Sequence, residues 1–136
     1  MKENKERRAI WPVTYLVLGV SLLLVPVAFF MREMHIQAEL GPKVESRIGC
    51  RITGPYIQAG DRHIEPIATT AIAPGGACDQ AGFQLNDILI GERSLATVYQ
   101  RLSAPSGKRV TFDVVPGGDG LPLDERPRRK VTIVLP

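Results

Sequence analysis

The residues that come closest to a catalytic pair in this 136-residue sequence are Asp61 and His63. A histidine beside a carboxylate is a pairing that general acid–base catalysis uses. However, both residues lie in a glycine-containing loop, and the sequence has neither a Gly-x-Ser-x-Gly nucleophile turn nor the His-Glu-x-x-His helix of metalloproteases. We therefore expect both side chains to be solvated and the protein to be noncatalytic.

Metal and cofactor sites are not indicated either. The sequence has two cysteines, Cys50 and Cys78, and two histidines, and their spacing fits no usual zinc site. The Gly-Gly-Asp-Gly run of residues 117–120 lacks the Lys-Ser/Thr pair of a phosphate-binding loop, so it reads as a turn. We expect no metal and no cofactor.

The charge balance argues against nucleic acid as a partner. The 17 basic residues face 14 acidic ones, which leaves a formal net charge of only +3. The densest basic cluster beyond the N-terminus, residues 126–130, is partly neutralised by Asp124 and Glu125. We read it as a solvated hairpin arm, and contact with anionic lipid or an acidic partner is the alternative.

Residues 9–31 contain no charged side chain and are predicted to span a membrane. As a helix they would extend ~34 Å, enough to cross a hydrocarbon layer of ~30 Å. The basic residues of the preceding segment, residues 1–8, favour a cytoplasmic N-terminus and an exported remainder, which is periplasmic in a bacterium. A cleaved signal peptide is the alternative, but the run is long and no small-x-small cleavage site closes it. An uncleaved anchor in the inner membrane fits better.

The remaining chain divides into a stalk and one domain. Residues 32–46 predict a few helical turns that stop at Gly41-Pro42, and we read them as a linker with a solvated His35. The alternative is that Met34, Ile36 and Leu40 pack against the domain that follows. Residues 47–136 form that domain.

Short apolar runs separated by turn residues predict an α+β domain. The predicted strands, rich in Val, Ile and Thr, are residues 50–53, 66–72, 87–90, 109–115 and 130–135. A short helix is predicted over residues 77–81 and a longer one over residues 95–102, with Ser94 as its N-cap. Five or six strands with two helices indicate a small, partly open β-barrel whose gap the longer helix covers.

Residues 67–91, IATTAIAPGGACDQAGFQLNDILIG, resemble the central signature of bacterial PDZ domains. Gly82 is predicted to end the short helix in a left-handed conformation, and Phe83 folds back as the hydrophobic contact of that cap. Asn86 replaces the family's usual glycine and tolerates the same left-handed backbone. Asp87 can accept hydrogen bonds from backbone donors at the turn. The resemblance extends over residues 47–136 and implies a PDZ-like fold.

The resemblance also implies a peptide-binding site. PDZ domains bind an extended peptide as an added strand, and the amides of an apolar-Gly-apolar loop hold its terminal carboxylate. In this sequence Ile48-Gly49-Cys50 matches that loop, although Cys50 stands where a large apolar residue is common. The predicted peptide-binding residues are Ile48, Gly49, Cys50, Arg51, Ile52, Val98, Tyr99 and Leu102. An ordinary strand whose edge binds nothing is the alternative.

The two cysteines leave a further choice open. An oxidising compartment permits a bridge between Cys50 and Cys78, but the loop and the short helix need not bring their Cα atoms within ~7 Å. We expect two separate buried thiols.

These patterns together predict a noncatalytic, membrane-anchored adaptor whose periplasmic PDZ domain recognises C-terminal or extended segments of envelope proteins. The layout is similar to the inner-membrane C component of type II secretion systems, although that family's intervening homology region is missing. The alternatives are a structural subunit of an inner-membrane complex, with the groove closed or unused, and an accessory regulator of a membrane protease.

Overall fold

The computed structural model describes residues 3–54, 66–118 and 121–136. Asp61 and His63 lie outside the described residues. The chain divides into two compact units, Met1–His35 and Ile36–Pro136. An α+β fold with a long apolar N-terminal helix, an open antiparallel sheet and two further helices is confirmed.

The first helix, α1, covers Glu3–Ile48 and supplies the first unit. Residues 11–32 are all exposed, and the rings of Trp11 and Tyr15 lie 5.8 Å apart between centroids. Within the described part of the chain, α1 is the one helix that is long and apolar enough to cross a membrane, by length and composition.

The second unit is built on five antiparallel strands whose order in the sheet is their order in the chain. The elements are β1 (Cys50–Thr53), β2 (Ala68–Ile72), α2 (Ala77–Ala81), β3 (Ile88–Ile90), α3 (Leu95–Leu102), β4 (Arg109–Val115) and β5 (Arg129–Val134). The longest pairing joins β4 to β5, and a bulge interrupts the β1–β2 pairing between Arg51 and Ile52. Because β1 is the first strand in the order of the sheet, it lies at one edge.

The alternation of side chains along β4 and β5 decides which face of the sheet is buried. Val110, Phe112 and Val114 point into the core, while the intervening residues of β4 are exposed. Phe112 meets the ring of Phe83 edge-on, with 6.2 Å between centroids. On α3, the predicted apolar face is buried against this layer.

The helix end predicted at Gly41-Pro42 is wrong, because α1 continues through this pair to Ile48. Pro42 has no N–H to donate to the carbonyl of residue 38, so the helix loses one internal hydrogen bond there. Burial compensates for this loss, since Val44 and Ile48 are 2% and 0% exposed. Leu40 also packs against the core, as the alternative interpretation of the linker predicted, whereas Met34, which that alternative included, is 54% exposed.

The local predictions for the caps and turns are confirmed. The Ser94 side chain accepts a hydrogen bond from the Thr97 amide at 3.2 Å, which caps α3. Gly82 ends α2 with φ 89°, and Asn86 adopts φ 67° at the following turn. The Phe83 amide donates to the Cys78 carbonyl at 3.1 Å and completes the cap of α2.

Asp87 is almost fully buried and connects three parts of the sheet. One carboxylate oxygen accepts hydrogen bonds from the Gln84 amide at 2.7 Å and from the Arg129 guanidinium on β5. The Asp87 amide donates to the Thr69 hydroxyl on β2 at 3.1 Å. The Asp87 side chain therefore fixes the turn before β3 to β5, and the Asp87 main chain fixes it to β2.

Cys50 and Cys78 form a disulfide, with their Cα atoms 6.0 Å apart. The expectation of two separate thiols is wrong because α2 begins beside the start of β1. A Cβ atom added at Gly49 would lie 3.0 Å from the Cα of Gly76, the residue before α2. The bridge therefore fixes α2 to the edge strand.

Replacing Cys50, Cys78 or both by alanine should lower the free energy of unfolding by roughly 3–4 kcal/mol through loss of loop closure. Each change breaks the same bond, so the double variant should lose about as much as either single variant. Pulse proteolysis in urea measures this on the full chain in detergent. Losses that add in the double variant would contradict the bridge.

Asp87→Ala should destabilise the second unit by about 2–3 kcal/mol, because a buried acceptor of charge-assisted hydrogen bonds is removed. Asp113→Ala is the matched control, since Asp113 carries the same charge on the exposed face of β4. That variant should stay within about 0.5 kcal/mol of the parent. Equal losses in the same urea assay would show that the buried contacts of Asp87 contribute nothing.

Candidate functional site

The candidate site lies at the outer edge of β1. This strand pairs with β2 on one side, and no strand among the described residues pairs with its other side. An edge strand presents main-chain donors and acceptors that need partners when they are removed from water. In β1 the need for such partners is greatest at Ile52, because this residue is only 1% exposed to solvent.

Two side chains provide the partners of Ile52. The Ile52 amide donates to Oε1 of Glu45 at 3.4 Å, and the Ile52 carbonyl accepts from the Tyr99 hydroxyl at 3.1 Å. The same hydroxyl lies 3.0 Å from Glu45 Oε1, so its single hydrogen serves two acceptors. Glu45 also forms an ion pair with the exposed Arg51 at 3.7 Å.

These contacts place the last turns of α1 between β1 and α3. We call residues 41–48 the closing segment. On its α3 side, a Cβ added at Gly41 would approach the Tyr99 ring to 3.3 Å, which shows how closely the backbone passes. Val44 and Ile48 enter the same core cluster as Val98 and Leu102 of α3. The closing segment thus occupies the cleft that the sequence predicts for a peptide.

Arg47 binds the closing segment to the main chain just after α3 and after β5. Its Nη1 donates to the Ala104 carbonyl at 2.7 Å, just beyond α3. Its Nε and Nη2 donate to the main-chain oxygen of Pro136 at 3.2 and 2.9 Å. The guanidinium therefore holds main-chain carbonyls of this chain, in addition to the Glu45 contacts on the β1 side.

The structure brings most of the predicted peptide-binding residues together, but as core residues. Ile48, Ile52, Val98, Tyr99 and Leu102 are buried in one cluster. The pocket expected between them for a peptide side chain is filled by their own side chains and by Val44.

The remaining predicted residues lie around this core. Cys50 is buried in its disulfide, Gly49 is half-buried, and the Arg51 side chain is exposed.

The predicted carboxylate-binding loop, Ile48-Gly49-Cys50, already makes hydrogen bonds within the chain through Gly49. The Gly49 amide donates to the Glu45 carbonyl at 2.9 Å and so continues the end of α1. The Gly49 carbonyl accepts from the Ala73 amide at 2.7 Å. The last turn of α1 must therefore unwind before the Gly49 amide can meet a carboxylate at this loop.

The free energy of withdrawing the closing segment follows from the side chains it buries. Exposing a fully buried Val or Ile costs about 1.5–3 kcal/mol each, so Val44 and Ile48 together account for about 3–6 kcal/mol. Gly41 and Pro42 offset part of this, because both residues disfavour a helix interior. The cleft is therefore closed in the described state.

Two open concavities lie beside the closed cleft. One, of about 310 Å³, adjoins the start of β1 and is lined by Glu45, Ser46, Gly49, Cys50, Arg51, Ala71 and Ala73. The other, of about 370 Å³, lies between β2 and α2 and includes the exposed Leu85. Among the described residues, no three His, Cys, Asp or Glu side chains group as metal ligands.

The sequence reasoning missed the closing segment. Gly41, Val44 and Ile48 have the i, i+3, i+7 spacing of one helix face, which is the signal that could have revealed them. The Gly41-Pro42 pair concealed it, because such a pair usually ends a helix. Nothing in the local sequence around Glu45 indicates that it would be a partner for a strand edge.

Comparisons with protein-family models, with the curated proteins and with solved structures find no significant match for this chain.

Removing the Tyr99 hydroxyl tests how much the side-chain partners of β1 contribute to the free energy of unfolding. Tyr99→Phe leaves the Ile52 carbonyl without its donor and should cost about 1–2 kcal/mol of unfolding free energy. In a double-mutant cycle with Glu45→Ala, the coupling energy should reach at least ~0.5 kcal/mol.

Ser46→Ala serves as the control on the same turn, since the Ser46 hydroxyl bonds only locally to the Lys43 carbonyl. The cycle is measured by pulse proteolysis in urea. A coupling of zero would mean that Glu45 and Tyr99 act independently at Ile52.

Proposed function

We propose that this chain is a noncatalytic, single-pass membrane protein whose exported, PDZ-like domain binds a protein partner of the envelope through the cleft between β1 and α3. One observation carries the proposal. The outer main-chain groups of Ile52 are bonded to the side chains of Glu45 and Tyr99 and not to a neighbouring strand. An extended polypeptide can provide equivalent bonds from its own main chain.

The arrangement of elements around the cleft supports this proposal. The loop at Gly49 opens directly into the edge strand β1, and α3 forms the opposite wall. The turn geometry at Gly82, Asn86 and Asp87 agrees with the segment that resembles PDZ domains. These features support a peptide-binding architecture, and they name no particular ligand.

Two independent features support an extracytoplasmic location for Ile36–Pro136. The apolar segment of α1 follows a basic N-terminus, which favours a cytoplasmic start. The disulfide between Cys50 and Cys78 belongs to an oxidising compartment. Both features agree with an anchor in the inner membrane and a periplasmic domain.

A second candidate function is a structural subunit of an inner-membrane complex, such as a secretion assembly. The burial of Val44 and Ile48 favours it, because a cleft that is closed by core residues can stay closed permanently. Partners would then bind other surfaces of the domain. A regulator of a membrane protease is a form of the first candidate, since it would recognise polypeptide ends through the same cleft.

Titrating the full chain in nanodiscs with a fluorescent library of free C-terminal heptapeptides tests the first candidate. We expect saturable binding that Gly49→Ala weakens at least tenfold, because an added Cβ disturbs the loop. Gly75→Ala is the matched control. It also has a positive φ, 76° against 72° for Gly49, but its added Cβ would meet no atom within 4 Å.

Binding that both glycine variants weaken equally would point to general backbone strain and would contradict a role for the Gly49 loop. If no peptide gives saturable binding, the adaptor function is excluded. Copurification of a stoichiometric complex in mild detergent would then support the structural subunit.

A further inference from the structure

The closing segment begins at the two residues of α1 that least favour a helix. Gly41 has the largest backbone freedom to lose, and Pro42 lacks the N–H that would bond to the carbonyl of residue 38. Both are nevertheless held in the helix. Without tertiary contacts, the residues after this pair have a weak connection to the helix before it, so Gly41-Pro42 is a built-in hinge.

Releasing the closing segment leaves the sheet paired. β1 keeps its register with β2, and the disulfide continues to hold Cys50 beside α2. Among the described residues, the polar contacts of the segment with β1 come from the Glu45 side chain, through the Ile52 amide and the Arg51 ion pair. Release must also break the hydrogen bonds of Arg47 to the carbonyls of Ala104 and Pro136, which lie outside β1. The movement therefore exposes the outer edge of β1 without dismantling the strand.

We propose that residues 41–48 are an autoinhibitory segment that pivots at Gly41-Pro42 and, on leaving, opens the β1 edge to an extended polypeptide. This inference rests on the proposed function, since the occupant is the same partner. Within the closing segment, the Glu45 carboxylate takes the place of the incoming main-chain acceptor, and Val44 and Ile48 take those of its apolar side chains. The Tyr99 hydroxyl belongs to α3 and must rotate away before an incoming amide can reach the Ile52 carbonyl. Partner and closing segment compete for one space, so the apparent affinity falls with the fraction of molecules that are open.

Hydrogen exchange followed by mass spectrometry on the full chain in nanodiscs tests the release directly. In Glu45→Ala, the outward-facing Ile52 amide should exchange at least tenfold faster than in the parent, while the β1 amides that bond to β2 and those of residues 110–114 in β4 keep their rates. Pro42→Ala restores the missing helical N–H and should slow exchange of the Ile52 amide. Ser46→Ala, on the same turn, should change neither region.

The peptide library adds a second measurement. Peptides that bind the parent should bind Glu45→Ala about tenfold more tightly and Pro42→Ala more weakly. Two exchange results would overturn the inference. One is the Ile52 amide exchanging only at the rate of β4 in the parent and every variant, and the other is Glu45→Ala accelerating β4 as much as the Ile52 amide.

The two proposals fail in different ways. Local release of the closing segment without any peptide binding supports the hinge and excludes the adaptor function. Saturable peptide binding with the same affinity in the parent, Glu45→Ala and Pro42→Ala supports the adaptor function and overturns autoinhibition.

Discussion

The need to satisfy the main-chain groups of an edge strand underlies the arrangement of the second unit. Ile52 is too deeply buried for water to serve its amide and carbonyl, and no strand lies on that side among the described residues. Glu45 and Tyr99 meet this need from two different helices. Because both side chains must reach the same residue, the end of α1 is fixed against α3, and the apolar contacts of Val44 and Ile48 follow.

Several other contacts stabilise the unit without using residues of the closing segment. The disulfide attaches α2 to the first residue of β1, and Asp87 connects the turn before β3 with Thr69 and Arg129. The rings of Phe83 and Phe112 pack against each other in the core beneath β4 and β5. These contacts involve no residue of the closing segment, which is why we propose that the segment can move while they persist.

The sequence predicts the elements whose signals are local. The helix over residues 95–102 follows from its N-cap and apolar face, and the strand over residues 109–115 follows from its alternation. The end of α1 and the disulfide escape prediction because both depend on contacts between distant parts of the chain. Most of the predicted peptide-binding residues lie in one cluster, but their burial is not evident from the sequence, since it depends on the end of α1 bringing Val44 into the same core.

The order of the strands has a consequence for how the domain is made. Since every strand pairs with its neighbour in the chain, each new strand finds its partner already synthesised, and the pairings have low contact order. Cys50 and Cys78 both precede β4 and β5, so their bond can form while the second half of the polypeptide is still emerging. A nascent chain of this topology assembles in the direction of its own synthesis, and α1 is present to shield the first strand before the last one exists.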